Sequence, residues 1–86
     1  MKVVVTIIGK DRVGIVARAA SLLAERAVNI LDINQNIVGG YFNMVLIAEL
    51  AGDLRGLQRA FEGMGTEMDL EIKVQHEDIF LAMHKV

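Results

Sequence analysis

The chain has 86 residues, room for one small domain over positions 1–86 with a tail from position 76. Of its residues 53 % are hydrophobic but only 5 % aromatic, so aliphatic side chains and Met must fill the core. A formal net charge of -2 offers no excess positive charge to draw nucleic acid, and the absence of Cys excludes a disulfide framework, a thiolate nucleophile and a Cys-based metal site.

Lys2 to Ile8 is mostly Val, Ile and Thr, which predicts a strand. This apolar run is short, Lys10, Asp11 and Arg12 end it, and no small-residue cleavage pattern follows. It therefore reads as a buried strand and not as a leader. No apolar run approaches the ~20 residues of a membrane span, and the expected residence is cytoplasmic, with no membrane partner. Gly9 to Arg12 breaks the strand pattern. From Val13 to Ala27 the chain is rich in Ala and Leu, with Val16, Ala20, Leu23 and Ala27 at helical spacing. Arg18, Ser21, Glu25 and Arg26 fall on the other side, and Asp11 is the expected acceptor for the free N–H groups of the first turn.

Asn29 to Val38 alternates, with Ile33, Gln35 and Ile37 on one face and Asp32, Asn34 and Asn36 on the other, as in a half-exposed strand. Gln35 is the odd member of its face, and the sheet margin is its natural place. Gly39-Gly40 signals a hairpin into a strand from Tyr41 to Leu50. Asp53 is the expected N-cap of a second helix, whose stripe of Leu54, Leu57, Phe61, Met64 and Met68 continues past three glycines to about Met68. Leu70 to Gln75 alternates again and predicts the last strand. His76 to Lys85 closes the chain, with Asp78 as a possible cap and Ile79, Phe80 and Met83 on one side of a short helix.

The order is strand, helix, strand, strand, helix, strand, tail. It predicts an α+β, ferredoxin-like βαββαβ sandwich: a four-stranded antiparallel sheet, two helices on one face and a short C-terminal helix. Strand parity adds a second inference. If Val3, Val5 and Ile7 of the first strand and Phe42, Met44, Leu46 and Ala48 of the third face the helices, then Val4, Ile8, Val45 and Ile47 form an apolar patch on the opposite face. A patch of that kind usually has a cover. A second sheet packed face to face, the tail helix through Phe80, or both would serve, and a homodimer is expected.

The run GKDRVGIVARAASLLAERAVNI resembles the opening of an ACT domain, a small regulatory module found beside many enzymes of amino-acid metabolism. The matching positions are Gly9, Asp11, Arg12, Gly14, Leu23, Ala24, Asn29 and Ile30, and the resemblance extends through the whole order of elements. The ending QHEDIFLAMH is similar to that of small stand-alone ACT proteins of uncharacterised function. Val13 stands where many members carry Pro, which leaves the loop slightly less constrained.

The resemblance implies a ligand site where the first loop meets strand two of a neighbouring copy. The candidate ligand-binding residues are Gly9, Asp11, Arg12, Val13, Gly14, Ile15, Asn29 and Ile30. Their chemistry suits a small zwitterion. A helix N-terminus offers free N–H groups to a carboxylate, Arg12 can clamp one, and Asp11 can accept from an ammonium. In the plain alternative Asp11 only caps, the glycines only permit the turn, and Arg12 is solvated. His76, Glu77, Asp78 and His84 are the only cluster with metal-ligand chemistry, and their spacing matches no zinc motif. GKDRVG lacks the spacing of a nucleotide phosphate loop. No nucleophile, base or cofactor motif stands out, and the predicted outer face lacks the aromatics of sheet-face RNA readers. The expectation is thus a non-catalytic regulatory module that binds an amino acid at a subunit interface, with no cofactor, and that acts on an unidentified protein by association. The rival reading is a ligand-free protein–protein interaction or dimerisation module.

Overall fold

The computed structural model describes residues 1–84, and the last two positions of the expected tail, Lys85 and Val86, lie outside the described residues. The elements in chain order are β1 (Lys2–Lys10), α1 (Ile15–Glu25), β2 (Asn29–Val38), β3 (Tyr41–Glu49), α2 (Leu54–Met68), β4 (Leu70–His76) and α3 (Glu77–Met83). The strands form one antiparallel sheet in the order β2-β3-β1-β4. This is the ferredoxin-like arrangement that the pattern predicts, with a C-terminal helix added.

Alternation decides which side chains enter the core. Val3, Val5 and Ile7 of β1 join Phe42, Met44, Leu46 and Ala48 of β3 under α1 and α2, all at most 3 % exposed. From α2 come Leu57, Phe61 and Met64, with Leu54 and Met68 half-buried at the ends of the stripe. Asp53 caps α2 as expected, its Oδ1 accepting from the Gly56 N–H at 2.9 Å. Removing that acceptor leaves a first-turn donor without its partner. Asp53→Ala is expected to lower stability by about 1 kcal/mol in denaturant unfolding.

α1 differs from the expectation in length, phase and cap. It starts at Ile15 and buries Ile15, Ala19, Leu22 and Leu23, while Val16 is 37 % exposed and Ala20 and Ala27 are exposed. Two neighbouring series share the helical spacing, and the core takes the one carrying the bulkier pair, Ile15 and Leu22. Ala27 lies beyond the helix in a left-handed turn, φ 55°, so it cannot extend the stripe. Asp11 does not cap α1. The N-cap is Gly14, φ 92°, and no side chain accepts from the first turn. α3 also has a different cap: the His76 ring, and not Asp78, accepts from the Asp78 N–H at 3.1 Å.

At the other end of the sheet the terminal ammonium donates to Leu50 O and pairs with Glu49, both at 2.8 Å. The hydrogen bond from that ammonium holds the exposed Glu49 carboxyl below its ordinary range.

Candidate functional site

The β1–α1 loop is held by backbone and by one arginine. The Asp11 N–H donates to Gly40 O at 2.9 Å, which ties the loop to the β2–β3 hairpin. Arg12 Nη1 donates to Met68 O at 2.8 Å, at the C-terminal end of α2. That bond uses one of the five guanidinium donors and places a cation beside the loop. Arg18, one turn into α1, pairs with Glu67 at 3.0 Å and ties α1 to the same end of α2.

Between these ties the loop is open. Val13 is 98 % exposed, and Asp11, Arg12 and Gly14 are exposed as well. A Cβ on Gly14 would meet nothing within 4 Å, and the left-handed φ there favours glycine. With no side-chain cap, the N–H groups at the start of α1 face this open notch with the positive end of the helix dipole behind them.

The remaining candidates divide by position. Gly9 lies inside β1, opposite Phe42 and Leu70, and a Cβ there would come 3.3 Å from both Asp69 O and Leu70 Cα, besides displacing the Leu70 side chain. Close approach of β1 to β4 therefore accounts for that glycine. The Ile15 side chain is in the core, 2 % exposed, so only its N–H is available to the notch. Asn29 and Ile30 are exposed, but they sit at the far end of the sheet. Asn29 is opposite Glu49, whereas the loop follows Lys10, which is opposite Tyr41. β3 separates those ends by roughly 27 Å at about 3.4 Å per residue. Within one chain the loop and Asn29 are not brought together.

Two further features lie away from the loop. β2 is an edge strand with all ten residues exposed. On the side facing the helix layer, Ile33 is 42 % and Ile37 61 % exposed, and Leu31 beside them is 47 % exposed at a bulge. Alternation puts Ile33 and Ile37 on the helix-facing side, but only the three-dimensional arrangement shows that the helices leave them open. On the opposite face, α3 turns back against β1 and β4 of its own chain. Val4 there is 2 % exposed, while Ile8 and Val45 stay open at 48 % and 36 %. Among the described residues no polar or charged side chain is buried, no group of three or more His, Asp or Glu is placed to hold a metal ion, and no helix is long and apolar enough to cross a membrane.

Comparison with known proteins gives a consistent result. Residues 2–75 match the family model of the ACT domain. The UPF0237 protein of Methanosarcina acetivorans is 45 % identical over 86 residues, covering 96 % of this chain and 94 % of that one. The structure of an ACT domain protein from Streptococcus pneumoniae superposes with a TM-score of 0.82 at 35 % identity, covering 93 % of each chain. The regulatory subunit of aspartate kinase from Thermus thermophilus shares the fold, with a TM-score of 0.70 at 24 % identity over 86 % of this chain and 50 % of that one.

Proposed function

The chain belongs to the ACT-domain family, and on that premise we propose that it is a non-catalytic regulatory module that binds a small zwitterion, an amino acid by class, between two copies of itself. The observation that carries this reading is the open, uncapped start of α1 beside Asp11 and Arg12. Free N–H groups suit a carboxylate, and the Asp11 carboxylate suits an ammonium. The aspartate kinase subunit, regulatory by name, adds an analogy of fold alone.

The second copy enters through β2. The segment NILDINQNIV has neither Lys, Arg nor Pro, the residues that usually blunt a free sheet edge. A two-fold axis would pair this edge with itself in the antiparallel sense. Directly opposed residues must share a face. A register with Gln35 on the axis meets that condition: it sets Ile33 against Ile37 of the second copy and Asn34 against Asn36. It also places Asn29 and Ile30 of the second copy beside Gly39 and Gly40, where Gly40 O holds Asp11 N–H. The loop and the start of strand two, far apart in one chain, meet across such an interface.

Calorimetric titration with a panel of amino acids tests the ligand claim. At least one is expected to bind, and Asp11→Ala is expected to weaken it by about 10- to 100-fold, the loss of one charge-assisted hydrogen bond. Absence of heat and of thermal shift across the whole panel would remove the claim and leave the dimerisation reading.

A further inference from the structure

α3 is seven residues, roughly 10 Å long, and it lies across the outer face of the sheet opposite α1 and α2. Gln75 Nε2 donates to Met83 Sδ at 3.0 Å, and the Phe80 and His84 rings stack with centroids 4.1 Å apart. Yet none of its residues is buried, and a cavity of about 350 Å³ remains between helix and sheet. Ile8 and Val45 line its floor, and Phe80 and Met83 line its roof. That volume is at the compact end of small-molecule sites, which are mostly apolar with a few placed polar groups.

Thr6, Asn43, Gln75 and His84 give the cavity a neutral polar margin, and two opposite charges stand among them. Glu71 and Lys73 both line the cavity. Two positions apart on β4, they point to the same face with Cα atoms about 7 Å apart. Among the described residues neither takes part in an ion pair. An anion alone would gain from Lys73 and be repelled by Glu71, and a cation alone would meet the reverse. A molecule carrying both charges at its two ends satisfies both. A flat body would fill the layer between the aliphatic floor and the Phe80 and Met83 roof, where the thioether adapts to an aromatic ring.

We propose that the cavity under α3 is a second small-molecule site, separate from the β1–α1 loop, which takes a compact zwitterion with ammonium and carboxylate at opposite ends of a flat apolar body. The test is an NMR titration of the full chain with 4-(aminomethyl)benzoate, read at backbone amides and methionine methyls, with benzylamine and benzoate as single-charge probes. The zwitterion is expected to shift the signals of Glu71, Lys73, Phe80 and Met83, to leave Asp11 to Ile15 unmoved, and to bind at least tenfold tighter than either single-charge probe. Lys73→Glu is expected to reverse the order, with benzylamine binding tightest, and Glu71→Gln with Lys73→Met to erase the tenfold preference. Lys73 and Glu71 are exposed, so these variants retain the core. Asp11→Ala is expected to leave this binding unchanged, which separates the site from the one at the loop. Equal affinity for the three probes, shifts confined to the loop, or concentration-dependent shifts at the cavity without any probe, as a second copy filling it would produce, would each overturn the proposal.

Discussion

Replacing Ile33 and Ile37 together by Lys is expected to break the proposed dimer into monomers, with the dissociation constant raised at least 100-fold in sedimentation equilibrium. In the proposed register the lysine at position 33 lies opposite the one at position 37 of the second copy, so the double variant loses apolar cross-strand pairs and sets four positive charges along one seam. Like charges directly opposed across strands are unfavourable, and lysine on an edge discourages pairing. Both positions are exposed in the single chain, 42 % and 61 %, so the fold of each copy should tolerate the change. An unchanged circular dichroism spectrum and a small change in melting temperature are the expected controls. A variant that stays dimeric would move the interface to the outer face, where Ile8 and Val45 are also open.

Gly65→Val is expected to destabilise the chain by about 3 kcal/mol in urea titration, the upper end of overpacking costs. An 86-residue chain has only roughly 4–13 kcal/mol in total. α2 and β4 are joined through the single residue Asp69 in a left-handed conformation, φ 55°, which brings the last turn of the helix close to the strand. A Cβ on Gly65 would lie 2.8 Å from Leu70 O, a backbone atom held in that turn, with Ile72 next at 3.7 Å. The glycine is therefore what allows the helix to sit down on β4. Gly63, two residues earlier, is the control. A Cβ there meets nothing within 4 Å, so Gly63→Ala is expected to stabilise by about 0.4–1 kcal/mol in the same urea titration. Opposite signs from two glycines of one helix are a sharper outcome than either alone.

Sequence periodicity was most informative where it had no competitor. The α2 stripe is unambiguous because polar residues separate Leu57, Phe61 and Met64, and Asp53 stands directly before it, so helix and cap were both legible. In α1 nearly every residue from Ile15 to Ala24 is apolar, and spacing alone could not choose between adjacent series. Its cap was misplaced for a related reason. Asp11 has the right side chain, but the backbone turns at Gly14, and an acidic residue three positions early cannot reach the first turn. The sheet pairing was legible through alternation, whereas the exposure of Ile33 and Ile37 depends on how far the helices reach across the sheet. The patch around Val4 is legible too, but alternation cannot choose between α3 of the same chain and a second sheet as its cover, and the fold lays α3 there.

The candidate site divides along the same line. Asp11, Arg12, Val13 and Gly14 are neighbours in sequence, and the fold gathers them at one end of β1. Asn29 was grouped with them through the family resemblance. Its register opposite Glu49 places it at the other end of the sheet, out of reach of the loop in one chain, and the proposed site takes it from a second copy.

Mixing two variants that each lack one half of the site tests that claim most directly. Asp11→Ala removes the loop's contribution, and Asn29→Ala removes that of the edge strand. If the site spans two copies, each variant alone should bind the best amino acid of the panel at least tenfold more weakly. Unfolding and refolding the two together should restore one full-affinity site per mixed dimer in calorimetry, because one loop and one strand in that dimer are intact. No recovery on mixing, or an Asn29→Ala protein that binds like the parent, would contradict it.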